Sequence, residues 1–421
     1  MPGTQGIVAA IDMGTAKVAC LIGRVERAAG GQRRIRVLGV GQHEAQGIDR
    51  GAVVDLRAGE DAVRCAVEAA EEMAGVRIRK VHVNLSTGTL ASWRTGVEIP
   101  IPPREITTDD LHRVLSEARA RLPLGGRVLA HAVPLGYSVD GVQGIRDPRG
   151  MAGRRLGVNL HLVTAAPAPL RNLKLCIERA FLDIAGLVAT PYAGGLACLV
   201  EDEMQMGATL IDLGAGTVSL ARFRNGRLVD AGMLNVGGGH VTRDISAGLS
   251  TPLEHAERLK TLHGNALPGH TDDREYVDVP QIGDEPGAIP ARVPRSLLIG
   301  IIRPRMEEIF ELARDRLAES GEGLPASRRI VLTGGASLLP GARELAERIL
   351  NAPVRLARPN GIDGLPETVN PAGFSVCAGL AAWAVRAPME APRRAPGRKV
   401  LPRFIRARRT GLVARWMRAV F

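Results

Sequence analysis

One short pattern occurs twice in this chain, at positions 200 residues apart. Residues 11–18 read IDMGTAKV and residues 211–218 read IDLGAGTV, so both follow the form I-D-x-G-x-x-x-V. Each copy lies between two short apolar segments, which predicts a glycine-containing turn between two β-strands. A Walker loop or a dinucleotide-binding fingerprint would instead lead from a strand into a helix. The chain is therefore expected to contain two related strand–turn–strand units.

The two turns carry groups that suit the phosphate chain of a nucleotide. Glycine lets backbone N–H groups approach phosphate oxygens closely. The candidate phosphate-binding residues are Gly14, Thr15 and Lys17 in the first turn and Gly214, Gly216 and Thr217 in the second. A bare carboxylate would repel phosphate, so we interpret Asp12 and Asp212 as holders of hydrated Mg²⁺. The alternative is a pair of ordinary β-hairpins.

A third glycine-rich segment lies late in the chain. Residues 330–341 read IVLTGGASLLPG, which predicts a strand that ends at Gly334 and Gly335 and is followed by a helical segment. Two glycines at a strand end would let a flat purine ring lie against the backbone. The same pattern also occurs in ordinary turns between a strand and a helix.

Apolar segments of strand length alternate with helical patterns, which indicates a mixed α/β protein. Residues 61–73 and 305–317 have the apolar spacing of helices. Residues 87–163 differ, because prolines interrupt a strand and a helix is expected from Thr108, with Thr107 or Thr108 as its N-cap. We interpret this stretch as an inserted subdomain. Residues 264–294 are rich in proline and glycine and are expected to be irregular.

The net charge of +11 is concentrated at the C-terminus. Residues 391–421 hold ten basic and no acidic side chains, so the first 390 residues hold 45 basic and 44 acidic ones. A nearly neutral body, with only 3% aromatic residues, argues against a nucleic-acid-binding protein. Five scattered cysteines without C-x-x-C spacing argue against a disulfide framework or a zinc site. No signal peptide or membrane-spanning segment is seen, so we expect a cytoplasmic protein.

The last residues predict a basic amphipathic helix over 404–421, after a proline-rich linker over 387–403. At 100° per residue, one half of this helix carries Leu412, Val413, Trp416, Met417, Val420 and Phe421, and the other half carries Arg415 and Arg418. This pattern is typical of a helix that lies on an anionic membrane surface. Such a helix binds weakly alone, so self-association of the body would strengthen attachment. The alternatives are a helix that docks on the body and a nucleic-acid-binding tail.

The two D-x-G turns and the late T-G-G segment resemble those of the actin, sugar-kinase and heat-shock-chaperone ATPase superfamily. Seven segments more closely resemble the FtsA family of actin-like bacterial cell division proteins. They are Ala10–Gly23, Gly47–Asp55, Asp147–Leu156, Val236–Ile245, Glu254–Gly264, Ile302–Glu308 and Val331–Gly335. The resemblance runs from residue 7 to the last helix.

The resemblance implies a bilobal, actin-like α/β ATPase fold, with a small subdomain inserted in the N-terminal lobe and a C-terminal amphipathic membrane helix. The expected N-terminal lobe comprises residues 1–86, 164–192 and 361–386, with the insert at 87–163. The expected second lobe comprises residues 193–245 and 310–360, with a small subdomain at 246–309. The linker and the membrane helix follow.

The resemblance also implies an ATP site with Mg²⁺. Asp12, Gly14, Thr15 and Lys17 match the first phosphate motif, and Asp212, Gly214, Gly216 and Thr217 match the second. Gly238 is expected near the phosphates, and Gly334 and Gly335 are expected to form the adenosine loop. Glu257 and Lys260 lie three residues apart, and therefore on one helix face, and match the adenosine-contacting pair. A plain surface ion pair is the alternative for these two.

Hydrolysis of ATP needs a group that orients or deprotonates the attacking water. In actins and their polymerising relatives, a Gln or Glu follows the crossover before the second phosphate strand. The matching residues 190–198 read TPYAGGLAC and contain no Gln, Glu or Asp. We therefore expect ATP binding with slow or negligible hydrolysis.

By this resemblance, the protein acts at the division site, on the cytoplasmic face of the bacterial inner membrane. It is expected to tether the FtsZ ring, to self-associate into actin-like filaments and to recruit later division membrane proteins. Arg303 and Arg305 are candidate contacts for the acidic C-terminal peptide of FtsZ. The alternatives are another actin-like, membrane-associated polymer and a small-molecule kinase of the same superfamily, which would need a catalytic Asp between the lobes.

Overall fold

The structure is a computed structural model of the chain. It describes residues 6–27, 33–283, 285, 289–319, 329–366, 369 and 371–386. None of the helices formed by these residues is long and apolar enough to cross a membrane. The predicted linker at 387–403 and the predicted tail helix at 404–421 lie outside the described residues.

The first lobe begins with three antiparallel strands and a covering helix. Its elements up to the insert are β1 (Ile7–Met13), β2 (Lys17–Arg27), β3 (Arg33–Glu44), the short pair β4 (Ile48–Asp49) and β5 (Ala52–Val53), α1 (Leu56–Ala74) and β6 (Lys80–Leu85). Asp55 caps α1 by accepting hydrogen bonds from the backbone N–H groups of Arg57 and Ala58, and Gly75 ends the helix. The strand–turn–strand unit at 7–22 and the helix at 61–73 are thus confirmed, and the helix is longer at its N-terminal end.

The insert is a separate antiparallel sheet with one helix. It consists of β7 (Ala91–Glu105), α2 (Thr108–Ala120), β8 (Val128–Val139), β9 (Val142–Ile145) and β10 (Ala152–Ala165), in the sheet order β7-β10-β8-β9. Thr107 is the N-cap of α2, and its backbone N–H donates to Asp110 Oδ2 at 3.0 Å. Val114 and Ala118 of this helix are buried in a core that belongs to the insert itself. The expected inserted subdomain with its helix from Thr108 is confirmed.

The remaining elements complete the first lobe and build the second. They are α3 (Pro167–Arg179), β11 (Asp183–Ala189), α4 (Thr190–Cys198), α5 (Glu201–Met206), β12 (Ala208–Leu213), β13 (Val218–Arg224), β14 (Arg227–Leu234), α6 (Gly238–Leu249), α7 (Leu253–His263), β15 (Tyr276–Val279), β16 (Ala291–Pro294), α8 (Arg295–Glu319), β17 (Ile330–Thr333), α9 (Ala342–Leu350), β18 (Val354–Leu356), β19 (Ile362–Asp363) and α10 (Ser375–Arg386). Two short 3₁₀ turns lie at Gly335–Leu338 and Pro371–Phe374.

The sheets of the two lobes share five strands of the same topology, and the first sheet also contains β19, which pairs in parallel with β3. The first sheet has the order β11-β6-β1-β2-β3-β19 and the second has the order β14-β13-β12-β17-β18. In each sheet three consecutive antiparallel strands are followed by two parallel ones, which pair beside the first strand of the three. The repeated sequence pattern therefore marks a duplicated structural unit. The actin-like bilobal α/β architecture with an inserted subdomain is confirmed.

Helices α4 and α10 pack against each other where the lobes join. A Cβ atom at Gly379 would lie 1.8 Å from the carbonyl oxygen of Ala193, and one at Gly195 would lie 2.2 Å from the ring of Phe223. Only glycine allows these close approaches, because even a methyl group would overlap its neighbour. One buried cluster at this junction includes residues from both sheets, so the lobes share a continuous core.

The small subdomain of the second lobe is more ordered than its sequence suggests. Residues 264–294, expected to be irregular, contain the antiparallel pair β15 and β16. Helix α8 begins at Arg295 and continues through Pro304, so the helix expected at 305–317 is the second half of a longer one. The expected boundary between 309 and 310 falls inside α8, because its buried residues Ile302, Met306 and Phe310 belong to the second-lobe core.

The start of β7 runs along β14, the outer strand of the second-lobe sheet. Ser92 Oγ donates to the carbonyl of Ala231 at 2.8 Å and accepts from the Ala231 backbone N–H at 3.1 Å. The Arg94 guanidinium donates twice to the carbonyl of Val229, at 3.1 and 3.3 Å. Side chains of the insert thus complete the hydrogen bonding of a strand in the other lobe.

The connection into the insert also reaches the loop before α6. A Cβ atom at Gly88 would lie 1.8 Å from Asn235 Oδ1, so the two residues are in direct contact. Asn235 precedes the Gly237–Gly239 segment. Gly88, Ser92 and Arg94 therefore contact β14 and its continuation in antiparallel order.

Candidate functional site

The two Asp-Gly turns have the same geometry. The Gly14 backbone N–H donates to the Lys17 carbonyl at 3.1 Å, and the Gly214 backbone N–H donates to the Thr217 carbonyl at 3.0 Å. Asp12 pairs with Ala19 across the first hairpin, and Asp212 pairs with Ser219 across the second. Each aspartate is thus the penultimate residue of its first strand, immediately before the turn.

The turns face each other across the space between the lobes. A Cβ atom at Gly216 would lie 2.4 Å from Thr15 Oγ1 of the first turn. A glycine at this position therefore allows the two turns to approach closely. The contact brings the two halves of the sequence repeat to one place.

The turns lie in a cleft of about 760 Å³, which is within the range of small-molecule sites. The structure brings all of the predicted cleft residues together here. Lining the cleft are Asp12, Gly14, Thr15, Lys17, Asp212, Gly214, Gly216, Thr217, Gly238, Glu257, Lys260, Gly334 and Gly335. Residues separated by more than 300 positions in sequence thus form one surface.

Two carboxyl groups of the cleft lie where they are costly to ionise. Burial, and secondarily the nearby Asp212 carboxylate, raise the pKa of Asp12 to about 7. Burial raises the pKa of Asp212 to about 6. A cation between these carboxylates would favour their ionised forms. The donor set therefore fits Mg²⁺, which binds carboxylate and phosphate oxygens.

No group of three or more His, Cys, Asp or Glu side chains among the described residues is placed to hold a metal ion. A cation held by Asp12 and Asp212 would therefore need water and phosphate oxygens to complete its coordination. Burial also lowers the pKa of Lys17. Its Nζ atom donates to Gln42 Oε1 at 3.0 Å and lies 4.3 Å from the centre of the Phe374 ring. Both contacts hold this ammonium group at the cleft wall.

The glycine-rich start of α6 is attached to the second turn. The backbone N–H of Gly238 donates to the Gly214 carbonyl at 2.9 Å, and that of Gly239 donates to the Ala215 carbonyl at 2.8 Å. The N-terminal end of a helix carries partial positive charge and favours anions nearby. This end of α6 therefore suits a phosphate group in the cleft.

Lys260, which also lines the cleft, is held by three contacts. Its Nζ atom lies 2.6 Å from Glu257 Oε2, 2.8 Å from Thr242 Oγ1 and 3.2 Å from the Gly238 carbonyl oxygen. Glu257 remains about half exposed. The two side chains thus form an ion pair that is also part of the cleft wall.

Gly334 and Gly335 differ in their surroundings. Gly334 has a φ of +90°, and a Cβ atom there would lie 2.3 Å from Asp212 Oδ1. A Cβ atom at Gly335 would have no neighbour within 4 Å. Gly334 is therefore required by the fold, whereas Gly335 leaves space beside the cleft.

Asn84, at the end of β6, is a cleft residue that sequence reasoning missed. Its Nδ2 atom donates to Asp12 Oδ1 at 2.6 Å and to Thr190 Oγ1 at 3.3 Å, and its Oδ1 atom accepts from the Met13 backbone N–H at 2.7 Å. This amide therefore fixes the position of the Asp12 carboxylate. A buried amide near the end of β6, which reads KVHVNL, was not marked by the local sequence, because its role required knowing that β6 lies parallel to β1.

Arg303 and Arg305 lie on α8, outside the cleft, and already have carboxylate partners. Arg303 Nε lies 2.7 Å from Glu307 Oε1. Arg305 forms two hydrogen bonds with Asp244, at 2.5 and 3.2 Å, and contacts Glu308. An acidic peptide would therefore have to share or displace these carboxylates. The predicted tail residues 412–421 lie outside the described part of the chain.

Comparison with known proteins agrees with this architecture. A family model described as cell division protein FtsA matches residues 209–379, and one described as an SHS2 domain inserted in FtsA matches residues 88–164. The cell division protein FtsA of Rhizobium meliloti is 45% identical over 380 residues, which cover 89% of this chain and 86% of that protein. FtsA of Escherichia coli K12 is 32% identical over 382 residues, covering 89% of each chain.

Solved structures at low sequence identity share the fold. A type IV pilus biogenesis PilM–PilN complex aligns with a TM-score of 0.62 at 18% identity, over 90% of this chain and 98% of that one. MreB5 of Spiroplasma citri, solved with ADP, aligns with a TM-score of 0.54 at 14% identity, over 90% and 97%. Together with the relatives above, these likenesses lead to one conclusion. The chain belongs to the FtsA family of actin-like cell division proteins.

Proposed function

We propose that this protein is an ATP-binding scaffold that tethers the FtsZ ring to the cytoplasmic face of the membrane, self-associates and recruits later division proteins. The observation that carries the nucleotide part is the meeting of two Asp-Gly turns in one cleft. The proposed FtsZ tethering, self-association and recruitment rest on membership of the family, and the proposed membrane attachment also rests on the basic amphipathic pattern of the tail.

The cleft suggests how ATP would be oriented. The backbone N–H groups and hydroxyls of the two turns would hold the phosphates, with Lys17 as a cation at the wall. Asp12 and Asp212 would hold Mg²⁺, which neutralises phosphate charge when it is bound. The ribose and base would lie towards Glu257, Lys260 and the two glycines after β17.

Hydrolysis of the bound ATP is proposed to be slow or negligible. Helix α4 begins at the cleft with Thr190, and residues 190–198 offer no carboxylate or amide side chain to orient a water molecule. A single-turnover assay with radiolabelled ATP measures this directly. A turnover rate near that of actin filaments would contradict it.

The membrane and partner assignments need the full chain. Vesicle co-sedimentation should compare the full protein with a truncation at residue 403, with and without FtsZ and ATP. The full chain should bind anionic vesicles and bring FtsZ with it, and the truncation should bind these vesicles far more weakly and leave most of the FtsZ in solution. The proposal fails if the truncation binds lipid equally well or if the full chain does not recruit FtsZ.

A further inference from the structure

The hairpin formed by β2 and β3 carries dense positive charge at its far end. We define the arginine tip as residues 24–27 and 33–36, which read RVER and RRIR. Five of these eight residues are arginines, all exposed, and Glu26 is the acidic residue among them. The tip therefore carries a net charge of +4.

Pairing in the hairpin places arginines opposite one another. Arg24 lies directly opposite Arg36, and Arg27 lies directly opposite Arg33. Like charges at directly opposed positions destabilise an antiparallel pair. No ion pair joins Arg24, Arg27 or Arg36 to any described residue. Acidic side chains lie instead at Arg34, which is opposite Glu26 and forms an ion pair with Asp363. The two opposed arginine pairs are therefore the positions at which the tip is open to an external anionic partner.

The arginine tip lies beside the point where the chain leaves the body. The Arg33 guanidinium donates to the backbone carbonyl of Val385 at 3.4 Å, one residue before the end of α10. The sequence continues with residues 387–421, which contain ten basic side chains and one acidic one, Glu390. Because both regions are positive, the tail is repelled by the tip and does not serve as its partner.

The tip is also remote from the cleft. Arg24 pairs with Ile7 at the start of β1, whereas Asp12 lies five residues further along that strand. At about 3.4 Å per residue, the tip lies roughly 17 Å or more from the aspartate. Substitutions in the tip should therefore leave the nucleotide cleft unchanged.

We infer that the arginine tip is a second membrane contact, which lies on anionic lipid headgroups beside the tail helix. The inference rests on the proposed membrane attachment of the tail. A 17-residue linker alone could extend to at most about 60 Å, so the tail does not fix the orientation of the body. With the tip on the bilayer, the first lobe faces the membrane and the open cleft faces away from it.

The experiment measures binding of the full chain to vesicles with 0, 25 and 50% anionic lipid. The variant carries Arg24→Gln, Arg27→Gln and Arg36→Gln. One arginine near an anionic leaflet is worth about 1 kcal/mol, or about fivefold in affinity. We expect the triple variant to bind anionic vesicles on the order of 10- to 100-fold more weakly and to bind neutral vesicles unchanged.

A matched control removes three exposed arginines from other surfaces, through Arg119→Gln, Arg274→Gln and Arg348→Gln. This control has the same net charge as the tip variant, and its affinity for anionic vesicles should stay within about threefold of the wild-type value. Glu26→Gln, which raises the charge of the tip, should strengthen binding to anionic vesicles by up to about fivefold. A gain of affinity cannot come from damage to the fold.

Equal losses in the two triple variants, or no loss in the tip variant, would overturn the inference. If the tip variant binds vesicles normally but loses binding to FtsZ, the partner of the tip is a protein and the lipid assignment is wrong. The truncation at residue 403 tests the tail separately. Failure of the tail proposal shows as full binding by the truncation, whereas failure of this inference shows as full binding by the tip variant.

Discussion

At the scale of single residues, the two buried carboxyl groups make the cleft sensitive to pH. The pKa of Asp12 is raised to about 7 and that of Asp212 to about 6. A carboxyl group with a raised folded-state pKa stabilises the fold while it is protonated, and this contribution is lost as the pH rises through that value. We expect the nucleotide-free protein to lose thermal stability between about pH 4 and pH 7.

Mg²⁺ should reverse this trend, because it binds the ionised carboxylates. Affinity for MgATP should therefore rise over the same pH range, whereas affinity measured with EDTA should not. Asp212→Asn should reduce the pH dependence in both measurements, leaving the part due to Asp12, and the exposed control Asp273→Asn should leave both unchanged. Calorimetric titration and thermal unfolding at several pH values measure these effects. An Mg²⁺-dependent affinity that persists in Asp212→Asn would remove this residue from the metal site.

The adjacent glycines after β17 allow a second test. Gly334→Ala should destabilise the fold by about 2–4 kcal/mol, because alanine is strained at a φ of +90° and its Cβ would overlap Asp212 and Leu213. Gly335→Ala should change stability by less than about 1 kcal/mol, since its Cβ meets open space. It should nevertheless weaken ATP binding by roughly tenfold. Thermal unfolding and nucleotide titration separate the two effects.

An equal loss of stability in the two glycine variants would contradict the different surroundings of these residues. Unchanged ATP affinity in Gly335→Ala would remove Gly335 from the nucleotide site. The sequence pattern T-G-G predicted a role for both positions but could not distinguish them. The difference depends on the contact of Gly334 with β12, which is distant in sequence.

At the scale of elements, the contact between the insert and β14 predicts a mechanical link between the lobes. Ser92→Ala combined with Arg94→Ala removes the side chains that bond to the backbone of Val229 and Ala231. We expect faster amide hydrogen exchange over residues 229–235 and a loss of about 1–3 kcal/mol in unfolding free energy. Hydrogen exchange read by mass spectrometry measures the first effect.

The matched control is Arg155→Ala, which removes an ion pair with Glu98 that lies within the insert. It should leave exchange in 229–235 unchanged. Exchange in the double variant equal to that of the wild type would show that the insert does not restrain the second lobe. Exchange that increases throughout both lobes would instead indicate general unfolding.

Local pattern predicted some elements well and others poorly. The two hairpins and α2 were predictable because their turns, caps and apolar spacing are encoded within a few residues. The pair β15 and β16 was not, because each strand is only four residues long and lies in a segment rich in proline and glycine. Helix α8 begins ten residues before the predicted start at 305, and it continues through Pro304, a residue that usually ends or kinks a helix.

At the scale of the whole molecule, the duplicated pattern predicted two related strand–turn–strand units, and the family resemblance implied the two lobes. Neither could predict how the insert lies against both lobes, because that contact joins residues about 140 positions apart. The close packing of helices α4 and α10 against each other was equally hard to predict. Their closeness depends on Gly379 and Ala193, which have no local signal in common.

The contact of the insert with β14 has a further consequence for solubility. β14 is the outer strand of its sheet, and outer strands with unpaired backbone groups are templates for aggregation. Ser92 and Arg94 occupy some of those groups without adding a strand, so the sheet ends there. A chain from which the insert had been deleted would expose the unpaired backbone groups of β14. The inserted subdomain therefore also protects the second-lobe sheet against edge-to-edge association.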